Sequence, residues 1–178
     1  MLNLKPQSKM KHIYIILIFS FFCSLTNVSY SQNEKGVVIN GVTWATCNVG
    51  ASIPEEYGEY FTWEEAKMAC PEGWRLPTLD ELKSLKNTGS EWTTQNDKNG
   101  RLFGNAPNQI FLPAAGYGYG LRGIINAGAI SAYWSSTMET DVCNLRNAFI
   151  LDIALSNAYA VVYSVYKTDY GSVRCVKK

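Results

Sequence analysis

Ile13 to Phe22 is an apolar run broken only by Tyr14 and Ser20, and no later stretch of the chain is as long or as purely apolar. Downstream the pattern changes to short alternations. Val37-Val38-Ile39 and Val42-Thr43-Trp44 flank Asn40-Gly41, the pair that suits a two-residue turn with positive φ at both positions, so a β-hairpin is expected. Cys47 to Tyr60 reads as a loop. Trp63, Ala66 and Cys70 recur at helical spacing behind Thr62, and Thr62 with Glu65 forms a capping box, with Pro71 and Gly73 as the stop. Thr78 and Glu81 repeat that box before Leu79, Leu82 and Leu85, and Asn87 to Ser90 close this second helix.

Glu91 to Gly104 is polar and reads as a loop. Ile110 to Leu112 is a brief strand, and Gly116 to Gly128 a glycine-rich loop. Four late strands are expected at Tyr133–Thr137, Ala148–Ile153, Tyr159–Tyr166 and Ser172–Val176. Helices early and strands late imply an α+β class with an antiparallel sheet.

The apolar run is too short for a membrane span, which needs about 20 residues. Lys5, Lys9 and Lys11 precede it, and Ser29 and Ser31 place small residues at the −3 and −1 positions before Gln32. Residues 1–31 are therefore expected to be a secretory signal peptide, and residues 32–178 a single exported domain, secreted or held at the cell surface. A lipid-modified cysteine follows a small residue, whereas Cys23 follows Phe22, so anchoring there is not expected.

Three lysines and no acids leave with the leader, so 16 basic residues fall to 13 against 15 acidic ones. That balance argues against nucleic acid as a partner, because phosphate recognition needs concentrated basic surface. The one histidine, His12, lies in the leader. Ser-His-Asp and Cys-His catalysis and imidazole-based zinc sites are thereby excluded from residues 32–178. Cys47, Cys70, Cys143 and Cys175 remain, an even number that in an oxidising compartment implies two disulfides with three connectivities.

Trp63-x-x-Ala66, Gly73-Trp74-Arg75-Leu76-Pro77-Thr78, Phe111-Leu112-Pro113-Ala114-Ala115-Gly116, Tyr133-Trp134-Ser135-Ser136-Thr137 and Ser172-Val173-Arg174-Cys175 occur in that order, after Thr43 to Ala51. Together they resemble the Fibrobacter succinogenes major paralogous domain over residues 37–178. The resemblance implies a C-type-lectin-like layout: two short helices, a small twisted antiparallel sheet, long loops, and terminal strands lying together. It also implies a disulfide from the helix cysteine, Cys70, to the last strand, Cys175. Cys47 and Cys143 are then either joined to each other or both free. The same segment is similar to formylglycine-generating enzymes, which hold copper between two neighbouring cysteines. Cys143 has no cysteine near it in sequence, so that chemistry is not expected.

No catalytic, metal or cofactor residue is assigned. Calcium would need clustered carboxylate and amide oxygens. Glu139, Asp141 and Asn144 stand close together, and Glu55, Glu56, Glu59, Glu64 and Glu65 form the densest acidic patch, but solvated turns and a helix start account for both. Gly118-x-Gly120-x-x-Gly123 matches a dinucleotide fingerprint by letter, without the strand and helix that would give it meaning.

Tyr117, Tyr119 and Arg122 are better candidates. Rings on a glycine-rich loop stack on sugars or anchor protein partners, although they also serve to cover a core edge. The expectation is a non-enzymatic recognition domain for a glycan or surface protein, with Tyr117, Tyr119, Arg122, Glu139, Asp141 and Asn144 on its binding face. Two alternatives stand beside it. One is a structural or adhesive subunit of a surface assembly such as a fimbrial tip. The other is a glycan-active enzyme working through carboxylates, with Asp141, Asp152 and Asp169 available.

Overall fold

The computed structural model describes residues 36–156 and 160–178. The expected leader and Cys23 lie outside them. The first hairpin forms as its turn chemistry requires. β1 (Val37–Ile39) and β2 (Val42–Trp44) pair antiparallel with Ile39 opposite Val42, and Asn40 and Gly41 take φ of 50° and 78°. Helix α1 (Trp63–Ala69) follows. The Glu65 carboxylate accepts from the Thr62 backbone N–H at 2.8 Å and from its hydroxyl at 2.7 Å.

β3 (Trp74–Arg75) leads into α2 (Leu79–Asn87). There the Thr78 hydroxyl accepts from the Glu81 N–H at 3.2 Å, and Glu81 accepts from the Thr78 N–H at 2.7 Å. Helices this short are marginal alone. Leu82 and Leu85, both buried, tie α2 to the core, each contributing roughly 1.5–3 kcal/mol by burial.

The next segment departs from expectation. Residues 91–104 are not a loop. β4 (Ser90–Gln95) and β5 (Lys98–Asn105) form a hairpin closed at Gln95 and Lys98, with Asn96 and Asp97 at φ 44° and 60°. β6 (Asn108–Pro113) adds a third strand. Gly100 makes this pairing possible, because a Cβ there would sit 2.3 Å from the Leu112 carbonyl oxygen. Within the glycine-rich segment, β7 (Tyr117–Gly118) pairs with β8 (Ile124–Ile125) around a 3-10 turn at Gly120–Arg122. β9 (Ile130–Met138), β10 (Asn147–Ala154) and β11 (Val161–Tyr166) form a sheet with β10 in the centre. The expected strand at Ser172–Val176 shrinks to β12 (Val176–Lys177), which pairs with β2 and β3.

The class is therefore β-rich. Among the described residues, four small antiparallel sheets and two α-helices replace the expected α+β, lectin-like arrangement of two helices around one small sheet. Polar strands are the reason. Ser90 to Gln95 carries Thr and Trp in a surface hairpin whose polar faces hide the alternation.

One apolar cluster joins Ile39, Trp44, Leu82, Leu85, Phe103, Leu112, Leu151, Ile153 and Val176. A second gathers Trp63, Ala66, Trp74, Leu76, Trp134, Ile150, Val173 and Cys175. Leu151 and Ile153 face the first cluster, and Ile150 faces the second, so β10 is buried on both sides. Cys70 and Cys175 are disulfide-bonded across 105 residues. Cys47 and Cys143 are not joined: Cys47 is buried, whereas Cys143 is exposed in the β9–β10 connection. The pairing of Cys47 with Cys143 is thus replaced by two free thiols.

Arg174 is 1% exposed and meets no carboxylate among the described residues. Its guanidinium donates to Asn48 Oδ1 at 3.0 Å, to the carbonyls of Ala45 at 3.1 Å and Phe111 at 3.0 Å, and to the Thr46 carbonyl. Burial pulls it below the usual arginine value. Arg75, by contrast, does find an acid, pairing with both oxygens of Glu81 at 2.8 and 2.6 Å.

Candidate functional site

The second face of the β9–β10–β11 sheet carries a pocket of about 110 Å³, lined by Ala132, Trp134, Ile150, Tyr163 and Val165 from the sheet. Asp152 lies among them. Two other segments complete the wall, Tyr117 from β7, and Asp169 and Tyr170 from the turn after β11. Backbone bonds fix this meeting. The Gly118 N–H donates to the Tyr170 carbonyl at 2.9 Å, and the Tyr170 N–H to the Gly118 carbonyl at 2.7 Å. Glycine suits this close approach, since a Cβ on Gly118 would lie 3.0 Å from the Gly123 carbonyl oxygen and 3.2 Å from the Tyr170 Cβ.

Asp152 is the notable charge. It sits on a central strand and is 6% exposed. Tyr163, diagonal to it on β11, donates its hydroxyl to Asp152 Oδ2 at 2.8 Å. Asp152 Oδ1 has no hydrogen-bond partner among the described residues. Burial pushes the Asp152 carboxyl above its ordinary value, and the Tyr163 bond opposes that only in part. Asp169 is also raised by burial. The Tyr163 hydroxyl is pushed up by burial and by the neighbouring carboxylate. Among the described residues, no lysine or arginine lines the pocket.

Tyr170 also borders an open cleft with Gly58, Glu59, Tyr60, Gly120, Leu121, Gly123 and Ile124. Leu121 at its rim is fully exposed, and Ile124 and Tyr170 are more than a third exposed. Tyr60 is held by its hydroxyl, which donates to the Ala115 carbonyl at 2.5 Å.

The expected site residues separate into two groups. Tyr117, Tyr119 and Arg122 do gather: the two rings stack at 6.1 Å, and Arg122 lies over the Tyr119 ring while donating to its hydroxyl at 2.8 Å. Glu139, Asp141 and Asn144 do not join them. They belong to the β9–β10 connection, where Asp141 Oδ1 accepts from the Cys143 N–H at 2.9 Å and the Asp141 carbonyl accepts from the Asn144 N–H at 2.8 Å. None of the three lines the pocket or the cleft.

Trp74 and Trp134 are buried in the core. Tyr163 and Tyr170 were not singled out in the sequence. Their signal was tyrosine on a late strand and before a glycine, which is indistinguishable from ordinary strand patterning. No group of three or more metal-ligating side chains occurs among the described residues, and no helix there is long and apolar enough to cross a membrane.

The motifs and this arrangement can be set beside known proteins. Residues 26–177 match the Fibrobacter succinogenes major domain. The chain belongs to that family. The family match covers every element that builds the pocket and begins within the stretch expected to be leader. No curated protein and no solved structure matches the chain.

Proposed function

We propose that this Fibrobacter succinogenes major domain is a non-enzymatic recognition module, exported and displayed at the cell surface, that binds a protein ligand across the cleft and pocket that meet at Tyr170. The observation that carries this reading is the juxtaposition itself. A pocket of about 110 Å³ is too small for a whole ligand, whose sites run to roughly 300–1,000 Å³. It accepts an end group while the rest lies in the neighbouring cleft.

The cleft's rim favours protein over glycan. Leu121 and Ile124 present aliphatic surface that offers no hydrogen bonds to sugar hydroxyls, and exposed apolar side chains beside a tyrosine are features of protein contacts. Peptide and glycan arrays probed with residues 32–178 test this. Binding to peptides that is lost in Leu121→Glu supports it, and binding confined to glycans overturns it.

The enzyme reading has one observation in its favour: Asp152 and Asp169 line the same pocket, and both are raised. Paired acids with unlike environments are the equipment of glycoside hydrolysis. Oligosaccharide turnover abolished by Asp152→Asn would establish it. The small pocket favours recognition, because a sugar ring has to fit between such acids.

A further inference from the structure

Asp152 combines three features that ordinary structural acids lack. It is on the central strand of a sheet, and among the described residues one of its carboxylate oxygens has no partner and no lysine or arginine lines its pocket. A desolvated carboxylate without a counter-charge is unfavourable. Asp169 adds a second acid to the same wall. The remaining walls are rings, from Tyr117, Tyr163, Tyr170 and Trp134, and the aliphatic side chains of Ile130, Ala132, Ile150 and Val165.

We propose that this pocket holds a primary ammonium group, the end of a lysine side chain on the protein bound in the cleft. The Asp152 and Asp169 carboxylates supply the negative charge that holds it, and the tyrosine rings surround its charge and stem. This inference rests on the reading of the cleft as a protein-binding face.

The chemistry discriminates among occupants. A calcium ion takes six to eight oxygens, and the walls here are mostly carbon. A guanidinium is best met by both oxygens of one carboxylate, but Oδ2 of Asp152 already accepts the Tyr163 hydroxyl at 2.8 Å. A sugar hydroxyl would leave the buried charge uncompensated. An ammonium is a compact charge with three donors on a flexible apolar stem, and aromatic faces attract it. The mouth is at the surface, where Tyr163 and Tyr170 are 41% and 37% exposed, so a side chain can enter without unfolding the wall.

The test uses residues 32–178 with n-butylammonium as the probe, and n-butanol and n-butylguanidinium as its neutral and planar counterparts. Tyrosine ring and aspartate carboxyl resonances are followed by NMR. Saturable shifts at Tyr163, Tyr170 and Asp152 are expected with butylammonium, at an affinity on the order of millimolar, as suits so few atoms. Butanol and butylguanidinium are expected to bind at least roughly tenfold more weakly, and Asp152→Asn to weaken butylammonium by a similar factor. Asp169→Asn, on the turn, carries the same test should Asp152→Asn disturb the sheet.

A blocked Gly-Gly-Lys-Gly-Gly peptide should shift the same resonances, and its acetyl-lysine form should not. Equal binding of butanol and butylammonium, undiminished binding in both asparagine variants, or shifts with glucosamine but not with the lysine peptide would overturn the proposal. The probe is read on the domain alone. Failure here alongside peptide capture by the cleft removes the ammonium assignment and leaves the recognition reading intact. Butylammonium binding without any peptide ligand does the reverse.

Discussion

Tyr163 and Asp152 are joined across neighbouring strands by a 2.8 Å hydrogen bond that satisfies one carboxylate oxygen, while the other is buried without a partner among the described residues. The Asp152 carboxyl is held above its ordinary value of 3.8. The folded chain therefore keeps this proton at pH values where the unfolded chain has lost it. The associated stability is fully present below about pH 3.8 and is lost as pH rises through the raised folded value. Tyr163→Phe removes the bond that favours the charged form. It should cost about 1–2 kcal/mol at neutral pH and less in acid, read from urea unfolding at the two pH values. Asp152→Asn should flatten this part of the stability–pH curve.

The disulfide from Cys70 to Cys175 ties the end of α1 to the segment before β12 across 105 residues. In the chain-entropy model a loop of that length is worth about 4–5 kcal/mol. Replacing both cysteines by alanine should lower the unfolding free energy by about that much, with little change to the native spectrum. Under native, non-reducing conditions a maleimide should modify Cys143 at once and Cys47 only after denaturation, since one is exposed and the other buried. A non-reduced peptide joining Cys47 to Cys143 would contradict the structure.

What the sequence made legible was local. The Asn40-Gly41 turn and both capping boxes are complete within four residues, so residue type alone determines them. The Cys70–Cys175 bond followed from family resemblance. The β4–β5 hairpin was hidden because its turn is Asn96-Asp97 rather than Asn-Gly, and because its strands are polar on the exposed face.

The pocket was hidden for a different reason. Asp152 and Tyr163 meet through strand register, and Tyr117 and Tyr170 through a bridge between segments more than 50 residues apart. Spacing in one dimension carries none of that. Asp141, Asp152 and Asp169 stand out for their chemistry and Glu139, Asp141 and Asn144 for their proximity, and of these five only Asp152 and Asp169 line the pocket.

Arg75, Glu81 and Thr78 couple the start of α2 to β3. The Arg75 bond is the largest influence holding the Glu81 carboxyl below 4.5, burial opposes it, and the Thr78 N–H assists. A depressed acid contributes stability above its unfolded value that is lost as pH falls through the folded one. Glu81→Gln should therefore destabilise the domain at neutral pH and progressively less below pH 4.5. Thr78→Ala, which removes the cap alone, should cost about 1 kcal/mol. Chemical denaturation across that range separates the two effects.

Arg174 should prove the least replaceable charge in the domain. Its four acceptors, Asn48 and the carbonyls of Ala45, Thr46 and Phe111, come from the segment after β2 and from β6, so one side chain ties both to the chain's end. Arg174→Met would strand buried carbonyls, each costing roughly 1–3 kcal/mol. The expected loss exceeds about 3 kcal/mol, and Arg174→Lys should not restore it, because one ammonium cannot span acceptors spread around a planar fork. Thermal unfolding of both variants checks this, and a lysine variant as stable as the parent would show that charge, rather than geometry, is what the site requires.

The two groups of candidate residues make opposite predictions about binding. Tyr170 borders both pocket and cleft, and Tyr117 stacks on Tyr119 beside it. Tyr170→Ser should remove a contact central to the face and weaken peptide binding by about 2 kcal/mol, the scale of a tyrosine anchor, or roughly thirtyfold. Replacing Glu139, Asp141 and Asn144 together by serine should leave affinity unchanged, because their loop bonds within itself at Cys143 and Asn144 and contributes nothing to the pocket wall. Isothermal titration of the two variants against one array-selected peptide decides between them. Loss of binding in the triple variant, with Tyr170→Ser unaffected, would move the binding face to the β9–β10 connection.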